Sequence, residues 1–253
     1  MLESTPDSAA AHRHYTRAPI TEALIDIQLT APPSVKVEDL RLMPKEIRAD
    51  YPRAAPSLEF KGQFSAGEQV GAAAMQNAIG VIFYSQNQKQ VAQFRLNGFT
   101  FSRLAPYENW GQLRDEARRL WGVYRPVAGP AVITRLALRY INQINIPLPM
   151  RDVRDYLRTY PEVSTDLPQG LAGFFMQTRI PQVDIGGQLV LTQAMVGPPD
   201  EHTCSVALDI DVFVQDVGLQ SDEEIWRLLE VLRGRKNAVF EACITNETRR
   251  MII

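Results

Sequence analysis

The sequence predicts an α+β fold. Two consecutive halves, each ordered β-α-(β-hairpins)-α, join into one curved antiparallel sheet with the helices on one face. Three observations lead there. Short segments with apolar residues at every second position recur along the chain, separated by Gly, Pro and Asn, as half-buried strands require. Only a few stretches carry the apolar spacing of an amphipathic helix. The order of elements also restarts near residue 132, and matched positions lie 113 to 116 apart: Ile25 with Leu138, Phe94 with Leu208, Val37 with Val153, Trp110 with Trp226. So long a period is a duplication of halves rather than a solenoid.

The first half opens with "ITEALIDIQL" (20–29), a strand. A short helix follows around 37–50, then strands near 58–64, 80–85, 90–96 and 99–104. Asn97-Gly98 separates the last two, and both residues tolerate the positive φ of a tight hairpin turn. A helix spans 108–124, with Leu113, Ala117, Leu120, Trp121 and Tyr124 on one side, and Arg125-Pro126 marks its end. The second half repeats the order: a strand at 132–146, a short helix at 150–160, and strands at 171–179, 188–196 and 205–215. Ser221 and Glu224 form the S-x-x-E capping box of a closing helix that runs through Gly234 to Ile244. The domain reading is a mobile tail over 1–14, a first half over 15–127 and a second over 128–253, packed as one unit. The element order resembles the tandem saddle of TATA-binding protein and grip-like folds, a likeness of topology that carries no function.

Bulk properties exclude several classes. The chain has 253 residues and a formal charge of −2, from 27 Lys+Arg against 29 Asp+Glu, so no global basic field draws it to nucleic acid or an anionic membrane. Two distant cysteines, Cys204 and Cys243, make no disulfide framework or metal motif. The first 15 residues lack the apolar core of a signal peptide, and no apolar run reaches membrane-spanning length. The expectation is a cytoplasmic protein.

Strand alternation assigns side chains to faces. In the first strand Thr21, Ala23, Ile25, Ile27 and Leu29 point to the helices, and Glu22, Leu24, Asp26 and Gln28 to the open face. In the strand at 132–146, Val132, Leu136, Leu138 and Tyr140 point inward, and Ile133, Arg135, Ala137 and Arg139 outward. In "SVALDIDVFV" (205–214), Asp209 and Asp211 stand on the polar side. Arg95 and Arg103 complete a mixed field on the open face, and Glu22 opposite Arg139 and Asp26 opposite Arg135 are the expected cross-strand pairs. Arginine suits recognition because its planar fork binds carboxylate or phosphate through two parallel hydrogen bonds.

Nucleotide-binding, zincin, nucleophile-elbow and Cys-x-x-Cys motifs are all absent from the sequence. His12 and His14 fall in the tail, His202 in a Pro-rich loop, and Trp110 reads as core. The stretches "RAPITEALIDI", "SRLAPYENW", "TRLALRYINQINIP", "LDIDVF" and "KNAVFEACITNETRR" resemble a sporadically distributed, uncharacterised bacterial family. That resemblance implies no activity; its patchy distribution implies transferred cargo such as phage-defence or toxin–antitoxin loci. The resulting expectation is a non-enzymatic binding protein without cofactor or metal. It would use Glu22, Asp26, Arg95, Arg103, Arg135, Arg139, Asp209 and Asp211 to hold a protein partner, a second copy, a peptide or a polyanion. A Mg²⁺-dependent enzyme or sensor for phosphorylated ligands, with Asp209 and Asp211 on the metal, is the alternative.

Overall fold

The computed structural model describes residues 13–30, 33–41, 45–64, 72–129, 131–197, 201–216, 218–219 and 221–253. Nine strands form one antiparallel sheet: β1 (Ile20–Thr30), β2 (Arg53–Phe64), β3 (Ala72–Tyr84), β4 (Gln90–Arg95), β5 (Gly98–Leu104), β6 (Val132–Pro147), β7 (Phe175–Gln182), β8 (Gly187–Met195) and β9 (Thr203–Gln215). The helices are α1 (Lys45–Asp50), α2 (Trp110–Ala128), α3 (Asp222–Cys243) and α4 (Asn246–Ile252). The fold is α+β. Strand order is β2-β3-β4-β5-β1-β6-β9-β8-β7, so β1 and β6 are central neighbours. Outward from each lie the later strands of its own segment, in reverse chain order. Most of the predicted tail, including His12, lies outside the described residues. His14 is exposed.

One side of the sheet buries the core. Ile25, Ile27, Phe99, Phe101, Leu138, Tyr140, Leu208 and Ile210 are essentially inaccessible, and α2 and α3 pack on that side. Aromatic edges lock α2 down: Phe94 meets Tyr124 at 5.3 Å and Phe99 meets Trp121 at 5.8 Å between ring centroids, the spacing of T-shaped contacts. Ser221 caps α3 with the reciprocal Glu224 bond the sequence announces. The helix continues through Gly234, which costs only about 1 kcal/mol relative to Ala in a helix interior.

Several local expectations fail, each for a physical reason. The segment 150–160 is not an α-helix: a single 3-10 turn, Val153–Asp155, lies within it. Leu157 instead bridges to Ile244, Arg158 N–H donates to the Cys243 carbonyl and Thr245 N–H to the Tyr156 carbonyl. The end of α3 thus claims backbone groups that a helix would have used. The helix expected over 37–50 appears as a 3-10 turn, Asp39–Arg41, and the short α1. Pro126 does not end α2, which runs on to Ala128. In the last turn proline forfeits a single backbone bond, and Ala128 packs into the core. The β4–β5 turn is Leu96-Asn97, with Arg95 paired to Gly98. Gly98 has φ +156°, and a Cβ there would stand 2.5 Å from the Ile27 carbonyl oxygen. It is glycine because β1 passes too close for a side chain.

Ile133, expected outward, is buried, while Val132 is 59% exposed. The register between β1 and β6 slips between Gln28 and Leu29, leaving Thr134 as an extra residue. One extra residue reverses the facing of everything beyond it.

Candidate functional site

No described helix packs on the other side of the sheet, and its centre carries a linked ionic network of Arg95, Asp26, Arg135 and Asp211, with the Arg139–Asp209 pair beside it. Asp26 on β1 is its hub. Asp26 Oδ1 accepts from the Thr100 hydroxyl at 2.6 Å and from Arg95 Nη2 at 2.8 Å; Oδ2 accepts from Arg135 Nη1 at 3.0 Å and Gln28 Nε2 at 3.2 Å. Arg135 spans two acids, since its Nη2 donates to Asp211 Oδ2 at 2.8 Å. Its guanidinium lies 4.2 Å above the Phe213 ring, which gives the cation an apolar floor. Arg139 grips Asp209 with both prongs, Nε to Oδ1 at 2.8 Å and Nη2 to Oδ2 at 2.6 Å.

Register explains this wiring. Asp26 faces Thr100 on β5 and Ala137 on β6, and Ala137 faces Phe213 on β9. Arg139 faces Leu24 on β1 and Asp211 on β9. Every ion pair is therefore diagonal: Arg135–Asp26 and Arg139–Asp209 reach a residue two positions along the next strand, Arg135–Asp211 one four positions along, and Arg95–Asp26 one two strands over. The expected direct pairs do not form: Glu22 faces Ile141, and Arg135 faces Gln28. Asp26 and Arg135 nevertheless meet, because a long guanidinium covers the diagonal spacing of a sheet.

Asp26, Arg95, Arg135, Arg139, Asp209 and Asp211 come together. Glu22 stands on the same face at the edge of the group, close enough to add to the field at Arg139. Arg103 does not join. It faces Ala23, on the helix side, and pairs with Glu108 at 2.7 Å. Phe99, Phe101 and Arg103 share a phase, while Gly98, Thr100 and Ser102 share the other. Applied to that strand, alternation would have excluded Arg103 and found Thr100. The match of Phe94 with Leu208 also joins unlike strands: β4 lies two strands from β1, whereas β9 is the immediate neighbour of β6.

The two central acids sit in opposite electrostatic states. Burial, the strongest influence on Asp26, would raise its pKa. Arg95, the Thr100 hydroxyl and Arg135 together outweigh it and hold the carboxyl below its usual range. At Asp211 burial prevails over Arg135 and Arg139, with Asp209 adding repulsion, and the pKa rises. Asp211 Oδ1 is buried without a hydrogen-bond partner. The hydrogen bond to Asp209 pushes the Arg139 pKa up. Arg139 is also the most open member, its side chain 41% exposed against 16% for Arg95 and Arg135.

Among the described residues no group of three or more His, Cys, Asp or Glu is arranged to hold a metal ion. Both cysteines are buried and free, and burial pushes the Cys243 thiol up to about 11. Trp110 is core, donating from Nε1 to Glu230 at 2.7 Å. A cavity of about 550 Å³, lined by Val153, Tyr160, Phe174, Met195, Cys204 and Val206 among others, lies apart from the network. Among the described residues no helix is long and apolar enough to cross a membrane. Comparison with family models, curated proteins and solved structures finds no match to this chain.

Proposed function

We propose that the protein is a non-enzymatic binding or accessory protein whose open sheet face holds a protein, peptide or polyanionic partner. One observation carries this reading: six alternating charges from four strands are gathered at the centre of the face without helices. Scattered surface ion pairs contribute about 0–1 kcal/mol each and need no such convergence. Here Arg139 offers a planar fork to an incoming carboxylate or phosphate, in competition with Asp209. Asp209 and Asp211, once released, offer acceptors to a cationic group. A mixed field of this kind selects a partner by complementary pattern more than by net charge.

The reading includes an internal duplication, with halves over 15–127 and 128–253 related by a pseudo-dyad between β1 and β6. Support comes from the strand order on either side of the centre and from Ile25 facing Leu138, the pair of residues that match by position in the two halves. The first half carries one additional strand, β2.

A photo-crosslinking residue at Leu24, on the open face, and another at the exposed Gln112 of α2 test the proposal in lysate of the native host. Adducts from position 24 and none from 112 are expected. Adducts from 112 alone, or from neither, contradict it.

A further inference from the structure

β7 ends the strand order, with β8 on one side and no described strand paired to its other edge. The Met195 N–H donates to the Phe174 carbonyl at 3.1 Å, and the register continues with Met176 opposite Gln193, Thr178 opposite Leu191 and Ile180 opposite Leu189. In an antiparallel ladder the hydrogen bonds fall on alternate opposed pairs. Phe174, Met176, Thr178 and Ile180 therefore turn their backbone groups to β8, while Phe175, Gln177, Arg179 and Pro181 turn theirs outward. Proline fits that set, because the N–H it lacks is one that β8 would not have used. Gln177 faces Thr192, which faces Asp209, so the outward set also has its side chains on the open face of the sheet. Natural sheet edges are commonly guarded by charges, bulges or a covering element. Here β7 carries one charge, Arg179, which is exposed and makes no ion pair among the described residues. Beside it Phe175 is 71% exposed and Ile180 42%.

We propose that β7 pairs antiparallel with β7 of a second copy about a two-fold axis at Gln177, joining the two sheets edge to edge. Register carries the argument. An axis at Gln177 sets Phe175 opposite Arg179 of the second copy on the open face, and Phe174 opposite Ile180 on the helix side. The N–H groups of Phe175, Gln177 and Arg179 then donate to the outward carbonyls of Arg179, Gln177 and Phe175 of the second copy. Pro181 lies beyond that ladder and forfeits nothing. Opposed Cα atoms of such pairs stand about 5.5 Å apart, within reach for a guanidinium to lie on a phenyl ring. Neighbouring registers are poorer. An axis at Thr178 brings Pro181 opposite Phe175, where the missing N–H loses a bond. An axis at Arg179 sets the two arginines against each other, and like charges directly opposite destabilise a sheet. The exposed phenylalanine and the unpaired arginine of this edge are complementary to the same edge reversed, which is what an interface between two copies of one chain requires. The contact is separate from the ionic centre of the open face and does not depend on its function.

Sedimentation velocity of the full chain from about 1 μM to 1 mM tests this. One short strand pair is smaller than a standard interface, so a species of twice the 28.5 kDa of one chain should appear with a dissociation constant of about 10–100 μM. The mass of a single chain at every concentration overturns the proposal. Gln177→Pro removes an outward N–H and leaves the bonds to β8 in place, so this variant should be folded by circular dichroism and monomeric throughout. A folded Gln177→Pro variant that still dimerises overturns the proposal. Two substitutions at the exposed Phe175 read the register without touching the core, and each acts twice in a symmetric dimer. Phe175→Lys sets a like charge opposite Arg179 and should raise the dissociation constant at least roughly tenfold. Phe175→Glu sets a counter-charge there and should keep it within about threefold of wild type. Equal losses from the two, or a dimer indifferent to both, place the contact elsewhere and overturn the proposal.

Discussion

Replacing Asp26 with Asn asks whether the network is a working unit of the structure. The carboxylate accepts four hydrogen bonds, from Arg95, Thr100, Arg135 and Gln28. Asparagine keeps one acceptor and turns an NH₂ towards donors, so Arg95 loses its counter-charge and Arg135 one of its two. Breaking a buried pair from one side costs about 3–5 kcal/mol. The side chain is 11% exposed and Arg135 keeps Asp211, which places the loss at the lower end, about 3 kcal/mol. In a chain of this size that is a fall of roughly 6–12 °C in thermal midpoint. Urea titration followed by circular dichroism, repeated across pH, measures it. The folded-state pKa of Asp26 lies below its unfolded value, so its contribution is fully present above the unfolded pKa of about 4. It is lost as pH falls through the folded value. The gap between wild type and variant should be constant from pH 7 to about 5 and close below about 4. A variant within about 0.5 kcal/mol of wild type at pH 7 would refute the reasoning.

Two further outcomes follow from the same structure. Asp211→Asn should change stability by no more than about 1 kcal/mol at pH 7, because burial already disfavours its charge, Oδ1 has no partner and the amide oxygen can still accept from Arg135. A loss above about 2 kcal/mol in urea titration would contradict that account. Gly98→Ala should cost at least about 2 kcal/mol, since its Cβ would meet the Ile27 carbonyl and Gln28 Cα; a thermal midpoint unchanged from wild type would show that β1 and β5 can separate there.

Much of this was legible in the chain. Alternation in 20–29 and 205–214 placed Asp26, Asp209 and Asp211 correctly, because a strand with one buried face has a period of two and little freedom. The Ser221 capping box was legible because it is a local contact. What failed depended on neighbours distant in sequence. The bulge at Thr134 reverses Val132 and Ile133, yet nothing in "AVITRL" announces it. The loss of helix over 150–160 follows from pairing with Ile244. The diagonal ion pairs needed the register of β1 on β6, two residues from the one expected. Arg103 was a failure of application, since the phase of Phe99 and Phe101 already placed it on the helix side. Tyr107, Tyr140 and Lys236 lie far apart in the sequence, and only the fold brings them together.

The open face is the proposed binding surface, and Arg139 is its most exposed ionic member. Wild-type protein and Arg139→Glu, immobilised at equal density, can be compared as baits in native-host lysate, with bound proteins and polyanions quantified. Because the Arg139–Asp209 pair is partly solvent-screened, the reversal should cost about 1 kcal/mol and leave the thermal midpoint within roughly 4 °C of wild type. Capture of the specific partner should fall at least roughly tenfold, as loss of an interfacial charge pair implies. Unchanged capture by a folded variant, or a variant that no longer folds, would contradict the assignment of this face to recognition.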